Sequence, residues 1–177
     1  MKKTNPLSVK KIEEYANKVR REFSVDLNSH FTIFHILENL HNDGSLTIQI
    51  MDNDDSIFEH EDELAKYSPI DNFIYIKEKV VEEYENHEYR ANFTLAHEFF
   101  HYIQYQVLGF EFSEVEKCKT YEDPEWQANE FAGQLLIPTQ YVEYADNVLY
   151  EAFHVSFECI TTRKLYYKKR KGRSGVK

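Results

Sequence analysis

The stretch Ala96–His101 constrains this chain more than any other, because it sets two histidines and a glutamate in an apolar, aromatic segment. If residues 93–106 form one helix, His97 and His101 lie one turn apart on the same face, where both imidazoles can reach a single metal ion. Glu98 lies beside them, and a carboxylate there can take a proton from water next to the metal. The spacing predicts a Zn²⁺ site with Glu98 as the general base.

A zinc site of this kind needs a third protein ligand and leaves one position open for water. Glu125 is the best candidate, since it begins a predicted helix 24 positions after His101. A helix packed antiparallel to the first can bring this carboxylate to the metal. Asn129, one turn further on, is predicted to hold a ligand imidazole by a hydrogen bond. The structural alternative is a helix with two solvated or buried histidines.

Composition indicates one helix-rich domain: 42% of the 177 residues are hydrophobic, and 13 Tyr and 13 Phe stand against five Gly. No signal peptide and no apolar run long enough to span a membrane is readable. Cys118 and Cys159 form no disulfide framework, which favours a reducing cytoplasm. Free thiols are the simpler interpretation, although a cysteine ligand to zinc stays open.

Charge is distributed unevenly along the chain. Eight of the 21 basic residues follow position 162, where there is no acid, so the first 162 residues carry 13 basic and 31 acidic residues. The acidic body argues against direct nucleic-acid binding and suits a basic protein surface. Residues 168–177 are predicted to form a basic, flexible tail behind a single domain at 1–167.

Hydrophobic periodicity predicts most elements. Predicted helices, with Ser8 and Asp123 as N-caps, span 9–23, 32–40, about 90–106, 125–136 and 139–148, and predicted strands span 46–50 and 73–76. The polar segments 26–30 and 82–88 are predicted to be loop, the second with an exposed lead-in to the helix as the alternative. The acidic run 52–63 resembles a calcium loop, but Ile57 stands where glycine is needed, so a solvated loop is predicted.

Several segments together resemble the ImmA/IrrE metallopeptidases. The family shows an Arg-x-x-Phe-Thr-Leu-Ala-His-Glu-x-x-His stretch, matched here by Arg90, Phe93, Thr94, Leu95, Ala96, His97, Glu98 and His101. Its second signature is a Glu-x-x-Ala-Asn-x-Phe-Ala-x-x-Leu-Leu-x-Pro helix, matched by Glu125, Ala128, Asn129, Phe131, Ala132, Leu135, Leu136 and Pro138. A later Phe-x-Val-Ser segment followed by Arg-x-Leu is matched by Phe153, Val155, Ser156, Arg163 and Leu165. One departure is Phe99-Phe100, where family members often have a small residue before the second histidine. That bulk is expected to affect the shape of the substrate groove.

The resemblance implies an α+β, zincin-like fold, helix-rich with a small two- to three-stranded sheet near the HExxH helix. It implies that His97, His101 and Glu125 bind zinc and that Glu98 is the catalytic base. It also implies a cytoplasmic endopeptidase that cleaves a helix-turn-helix repressor and so relieves repression in phages or mobile elements. No oxyanion-stabilising residue is assigned among His154, Tyr102 and Tyr121.

Two other functions remain open from the sequence. The segment 149–167 reads as a helix, a turn and a basic helix, which could imitate a helix-turn-helix unit. The chain could then be a non-proteolytic regulator or a DNA- or protein-binding module with a structural zinc site. It could also be a metallopeptidase whose substrate is not a repressor.

Overall fold

The computed structural model describes residues 1–23, 33–86 and 88–174. Its helices are α1 (Val9–Glu22), α2 (Ile33–Asn42), α3 (Glu78–Glu85), α4 (Arg90–Tyr102), α5 (Pro124–Leu136), α6 (Asp146–Phe153) and α7 (Phe157–Ser174). Its strands are β1 (Lys2–Lys3), β2 (Thr47–Met51), β3 (Ala65–Ser68), β4 (Phe73–Lys77) and β5 (Ser113–Glu114). The predicted α+β class is confirmed.

Strands β2, β4 and β3 form the main sheet in that order. The central strand β4 pairs parallel with β2 and antiparallel with β3, with Ile48 opposite Ile74 and Tyr67 opposite the same Ile74. Its side chains from Ile74 onward are buried, as expected of a strand covered on both faces. The outer strand β3 packs on α4, which brings the sheet edge to the HExxH helix. A second, two-stranded sheet joins β1 to β5.

Helices α4 and α5 form the centre of the core. The rings of Phe100 and Phe131 stack with centroids 4.3 Å apart, and both side chains are fully buried. Phe99 is buried beside them, 6.2 Å from Phe131. Stacked aromatic pairs add to the free energy gained from burying their surface. The apolar face of α4 therefore holds the opposite, histidine-bearing face at a fixed distance from α5.

Both ends of α5 are capped. Asp123 Oδ1 accepts a hydrogen bond from the backbone N–H of Glu125, and Pro124 occupies the first turn, as predicted. At the other end, Arg20 of α1 donates from Nε and Nη2 to the carbonyls of Leu135 and Leu136, at 2.6 and 3.0 Å. These carbonyls have no partner within the helix, so a buried guanidinium takes the place of water.

A π-helical turn, Ile103–Val107, continues α4. The N–H of Leu108 donates to the carbonyl of Ile103 at 2.9 Å, the five-residue spacing that defines such a turn. Gly109 follows with a φ of 60°, a left-handed conformation that glycine adopts at little cost. The predicted end of this helix at about residue 106 is confirmed.

Several sequence predictions are confirmed and others are wrong. Helix α1 and its Ser8 cap, strands β2 and β4, and the helix–turn–helix order of α6 and α7 match the predictions. Strand β3 was not predicted, and α3 occupies residues for which a polar loop or lead-in was expected. The predicted helix 139–148 is wrong, because the chain forms a 3-10 turn at Thr139–Tyr141 and α6 begins only at Asp146.

The C-terminal helix α7 extends to Ser174, through most of the residues predicted to form a basic tail. The division of the chain at residue 167 stays a prediction. The polar segment 26–30, the start of the predicted helix at Thr32, and His87 lie outside the described residues. Across the described part of the chain, no helix combines the length and apolar character needed to cross a bilayer.

Candidate metal centre

Three predicted ligands meet between α4 and the first turn of α5. Nε2 of His97 lies 3.0 Å from Nε2 of His101 and 3.2 Å from Oε2 of Glu125. Nε2 of His101 lies 3.5 Å from Oε1 of Glu125. Within the described residues, these three side chains are the only group of three or more such ligands close enough to share an ion.

These separations fit a zinc ion. Ligand atoms about 2.05 Å from a tetrahedral zinc lie about 3.3 Å from one another. The three separations of 3.0, 3.2 and 3.5 Å bracket that value. The set contains two imidazoles and one carboxylate, and it leaves the fourth tetrahedral position open, as zinc sites that act on water do.

The hydrogen bonds at Nδ1 of His97 and His101 also support a metal site. Nδ1 of His97 lies 3.0 Å from Oδ1 of Asn129, and Nδ1 of His101 lies 2.9 Å from Oε1 of Gln104. An amide oxygen only accepts hydrogen bonds, so Nδ1 is the donor in each contact, and in its neutral form such a ring presents a lone pair at Nε2. Two lone pairs and a carboxylate then converge on one point, an arrangement that a cation stabilises.

Glu98 lies largely buried beside the three ligands. The backbone N–H of Tyr67, in β3, donates to Oε2 of Glu98 at 2.7 Å, while Oε1 lies 4.0 Å from Nε2 of His97. Burial raises the pKa of Glu98, and the charges of His101 and His97 and the Tyr67 hydrogen bond oppose that rise. One oxygen is thus fixed by the sheet, and the other faces the cluster and can hold a proton.

Without metal, the pKa values of the predicted ligands depend strongly on one another. Burial lowers the pKa of His101, but the hydrogen bond to Glu125 and the charge of Glu98 outweigh burial, and the pKa is raised. Hydrogen bonds from His101 and His97 hold the pKa of Glu125 well below its usual range. A positive charge at this point, either a proton or a metal ion, is therefore favoured by both carboxylates.

Two cavities border the cluster. A cleft of about 210 Å³ is lined by Glu98, His101 and Glu125, together with Tyr67 of the outer strand. A second cavity of about 450 Å³ opens on the other side of Glu125 and is lined by Asn129 and residues of α4, α5 and α7. The smaller cleft contains Glu98 and two of the predicted metal ligands, and the larger cavity adjoins it at Glu125.

Other residues singled out in the sequence lie elsewhere. Phe99 and Phe100 are buried in the core and line neither cavity, so the expectation that their bulk alters the substrate groove stays a prediction. Neither cysteine joins the cluster: Cys118 lies near the carbonyl of Lys2, and burial raises the pKa of Cys159 to about 12. The acidic loop 52–63 likewise contributes no ligand to it.

Sequence reasoning found Asn129 but missed Gln104 and Tyr67. Gln104 follows His101 by three positions, the spacing at which two helical side chains meet, and that was a readable signal. The contact of Glu98 with Tyr67 joins residues 31 positions apart through an unpredicted strand. No local pattern could have indicated it.

The fold and the site together define a zincin-like protein of the peptidase class. The chain belongs to the M78 peptidase family, described as the IrrE N-terminal-like domain, whose family model matches residues 46–163. This confirms the resemblance drawn from the sequence motifs. The family is metal-dependent in general. A comparison with curated proteins finds no match to the chain.

Proposed function

We propose that this protein is a zinc-dependent endopeptidase in which His97, His101 and Glu125 hold the metal and Glu98 is the general base. The observation that carries the proposal is the convergence of the three ligand atoms beside a buried carboxylate, in a member of a peptidase family. When bound, zinc supplies Lewis acidity, which polarises the scissile carbonyl and lowers the pKa of a neighbouring water.

Glu98 carries the proton in this scheme. Its Oε2 is held by the Tyr67 N–H, so Oε1 stays directed at the cluster, where it accepts a proton from the attacking water. The same oxygen then donates that proton to the leaving amine. The raised pKa of Glu98 suits both steps, because a base must also release the proton it has taken.

An extended peptide fits the cleft beside the cluster. Strand β3 is the outer strand of its sheet, and Lys66 and Tyr67 line the cleft between this edge and α5. Substrate side chains can enter the larger cavity past Glu125. A cleft of about 210 Å³ holds only a short stretch of chain, so a flexible or locally unfolded segment is the proposed form of the substrate.

We propose a helix-turn-helix repressor as the substrate, cleaved in the cytoplasm. The support is electrostatic: the first 162 residues combine 13 basic with 31 acidic residues, and a DNA-binding partner is basic. Such complementarity raises the rate of encounter without choosing the bond that is cut. A peptidase with another basic substrate has the same electrostatic support.

The regulator alternative draws on helices α6 and α7, which are joined by a short turn. Much of the basic charge of α7 is already engaged within the molecule: Lys164 pairs with Asp146, Arg170 with Glu130 and Lys171 with Glu143. A helix that reads DNA presents such groups to phosphates and bases. These ion pairs favour the peptidase over a DNA-binding module.

The test is incubation of the purified protein and zinc with the helix-turn-helix protein encoded by the neighbouring gene, followed by mass spectrometry of the fragments. We expect one or a few defined cuts, and none from a folded Glu98→Gln variant that still binds zinc. An intact repressor with the wild-type, zinc-loaded protein would exclude this substrate. Salt-sensitive DNA binding that survives Glu98→Gln would favour the regulator.

A further inference from the structure

Two glutamines behind the metal centre have no exposed surface. Gln104 lies in the π-helical turn after α4, and Gln127 lies on the inner face of α5, each at 0% exposure. Burying an amide costs free energy unless every polar atom finds a partner. These amides are completely paired, and the pairing leads to a metal ligand.

The hydrogen bonds run from the backbone to the metal ligand. Gln127 Nε2 donates to the carbonyls of Asn5 and Tyr121, at 2.8 and 2.9 Å. Carbonyls only accept, so this end of Gln127 must be the amino group and Oε1 must point the other way. There, Oε1 accepts from Nε2 of Gln104 at 2.8 Å.

The orientation of Gln127 thereby determines that of Gln104. With its amino group donated to Gln127, Gln104 can present only Oε1 to His101, and Nδ1 of His101 lies 2.9 Å from that oxygen. Nδ1 must then carry the proton, which leaves Nε2 unprotonated and directed at His97 and Glu125. The backbone of Gln104 is held as well, because its carbonyl accepts from the N–H of Phe110 at 2.9 Å.

We propose that Gln127 is a positioning residue that acts through Gln104 to fix the tautomer of His101 in the form that binds a metal ion. This inference rests on the proposed metal site. Without the Gln127 contact, Gln104 is free to rotate its amide and offer the amino group to Nδ1. His101 then carries its proton at Nε2, the atom that faces the other two ligands.

The competing explanation is that the glutamines only stabilise the packing of α4 on α5. Two substitutions separate the explanations. In Gln127→Met the acceptor for Gln104 is lost, whereas in Gln127→Glu a carboxyl oxygen still accepts from Gln104 while the buried carboxyl is protonated. Gln134→Met is the matched control, because Gln134 is a buried glutamine of the same helix whose partners, such as Glu130 and Thr139, lie outside the metal cluster.

The first measurement is the tautomer of His101 in the zinc-free protein, by long-range ¹H–¹⁵N NMR with ¹⁵N-labelled histidine. At a pH above the titration of His101, which the same spectra report, we expect the Nδ1–H form in the wild type and in Gln134→Met. Gln127→Met should shift His101 towards the Nε2–H form. An Nε2–H form of His101 in the wild type would overturn the proposal without any variant.

The second measurement is zinc affinity by competition with a chromogenic chelator. We expect Gln127→Met to bind zinc about 10- to 100-fold more weakly, as is typical when the partner of a ligand histidine is lost. Gln127→Glu should recover most of that loss, and Gln134→Met should match the wild type. Equal losses in Gln127→Met and Gln127→Glu would show a purely structural role. Neither measurement uses peptidase activity, so failure of the proposed cleavage is distinguishable from failure of this inference.

Discussion

The proposed metal centre has two unlike halves. The buried half is Glu98 and His101, with side chains 15% and 13% exposed, and the exposed half is Glu125, 61% exposed, with Asn129. The buried half is fixed by β3, by the glutamine pair and by the aromatic packing behind α4. The side chains of the exposed half contact the two histidines and otherwise face the solvent. We therefore expect the buried half to keep its geometry without metal, and Glu125 to depend on the ion for its position.

The largest effect is expected at Glu98. Glu98→Gln keeps the shape and the hydrogen bond from Tyr67 but cannot take a proton, so turnover should fall about 10²- to 10⁴-fold. Zinc affinity and thermal stability should stay close to the wild-type values. Steady-state cleavage and chelator competition measure the two quantities. Loss of zinc binding in this variant would mean that Glu98 is a ligand rather than a base.

The buried half depends on the core packing between α4 and α5, which a substitution can disrupt. Phe131→Ala removes a fully buried ring stacked on Phe100, and such substitutions cost about 3–5 kcal/mol in the free energy of unfolding. Urea unfolding of the zinc-free protein measures this. Glu125→Ala is the control from the exposed half; it removes the contacts of Glu125 with the two histidines but no core packing, so it should cost much less zinc-free stability than Phe131→Ala. Equal destabilisation by both variants would remove the distinction between the halves.

The exposed half should determine how much stability zinc binding adds to the folded state. A ligand at about 100 times its dissociation constant stabilises the folded state by about 2.7 kcal/mol. Zinc at that level should raise the melting temperature of the wild type, and a chelator should reverse the rise. Glu125→Gln should lose most of this gain, measured as the rise above its own zinc-free melting temperature. An undiminished zinc-dependent rise in Glu125→Gln would exclude Glu125 as a ligand.

The smallest effect concerns pH and has opposite signs with and without metal. Without zinc, the raised pKa of His101 gives stability that is complete below pH 6.5, the ordinary value, and is lost as the pH rises through the folded pKa. The raised pKa of Glu98 likewise gives stability that is lost as the pH rises above 4.5, the ordinary value for a glutamate. The depressed pKa of Glu125 acts oppositely, but only below about pH 4.5, where that share is lost as the pH falls.

Melting temperatures at about pH 6 and pH 9 test these signs. The zinc-free wild type should lose more stability over that interval than His101→Gln, which lacks the histidine contribution. The gain from zinc should instead grow with pH, because its ligands must be deprotonated. A zinc-free wild type that gains stability relative to His101→Gln would contradict the coupling described for His101.

Elements with strong local signals were predictable from the sequence. Helix α5 combined an aspartate cap and a first-turn proline with apolar periodicity, and the HExxH spacing together with the need for a third ligand pointed to Glu125. Strand β3 has only four residues, too few for a period-two pattern to stand out. The segment 139–148 has apolar residues at helical spacing, yet tertiary packing places a 3-10 turn there. Local periodicity cannot decide such cases.

Contacts between distant residues were not predictable. The bond between Glu98 and Tyr67, and the one between Gln104 and Gln127, join segments 31 and 23 positions apart. Phe99 and Phe100 show the same limit, since a position between two ligands in sequence says little about which face of the helix a ring occupies. The proposed ligands and Asn129 were thus predicted from the sequence, whereas the contacts of Glu98 with Tyr67 and of Gln104 with Gln127 were not.

The arginine at the end of α5 has a practical consequence for fragments of this protein. Arg20 precedes the family-matched residues 46–163, yet it caps the carbonyls of Leu135 and Leu136 inside them. A fragment cut at the family boundaries would lose α1, which packs along α5, together with the Arg20 cap and the Asn5 carbonyl that anchors Gln127. The cooperative folding unit is therefore larger than the region of family likeness, and an expressed fragment should retain α1 and the residues before it.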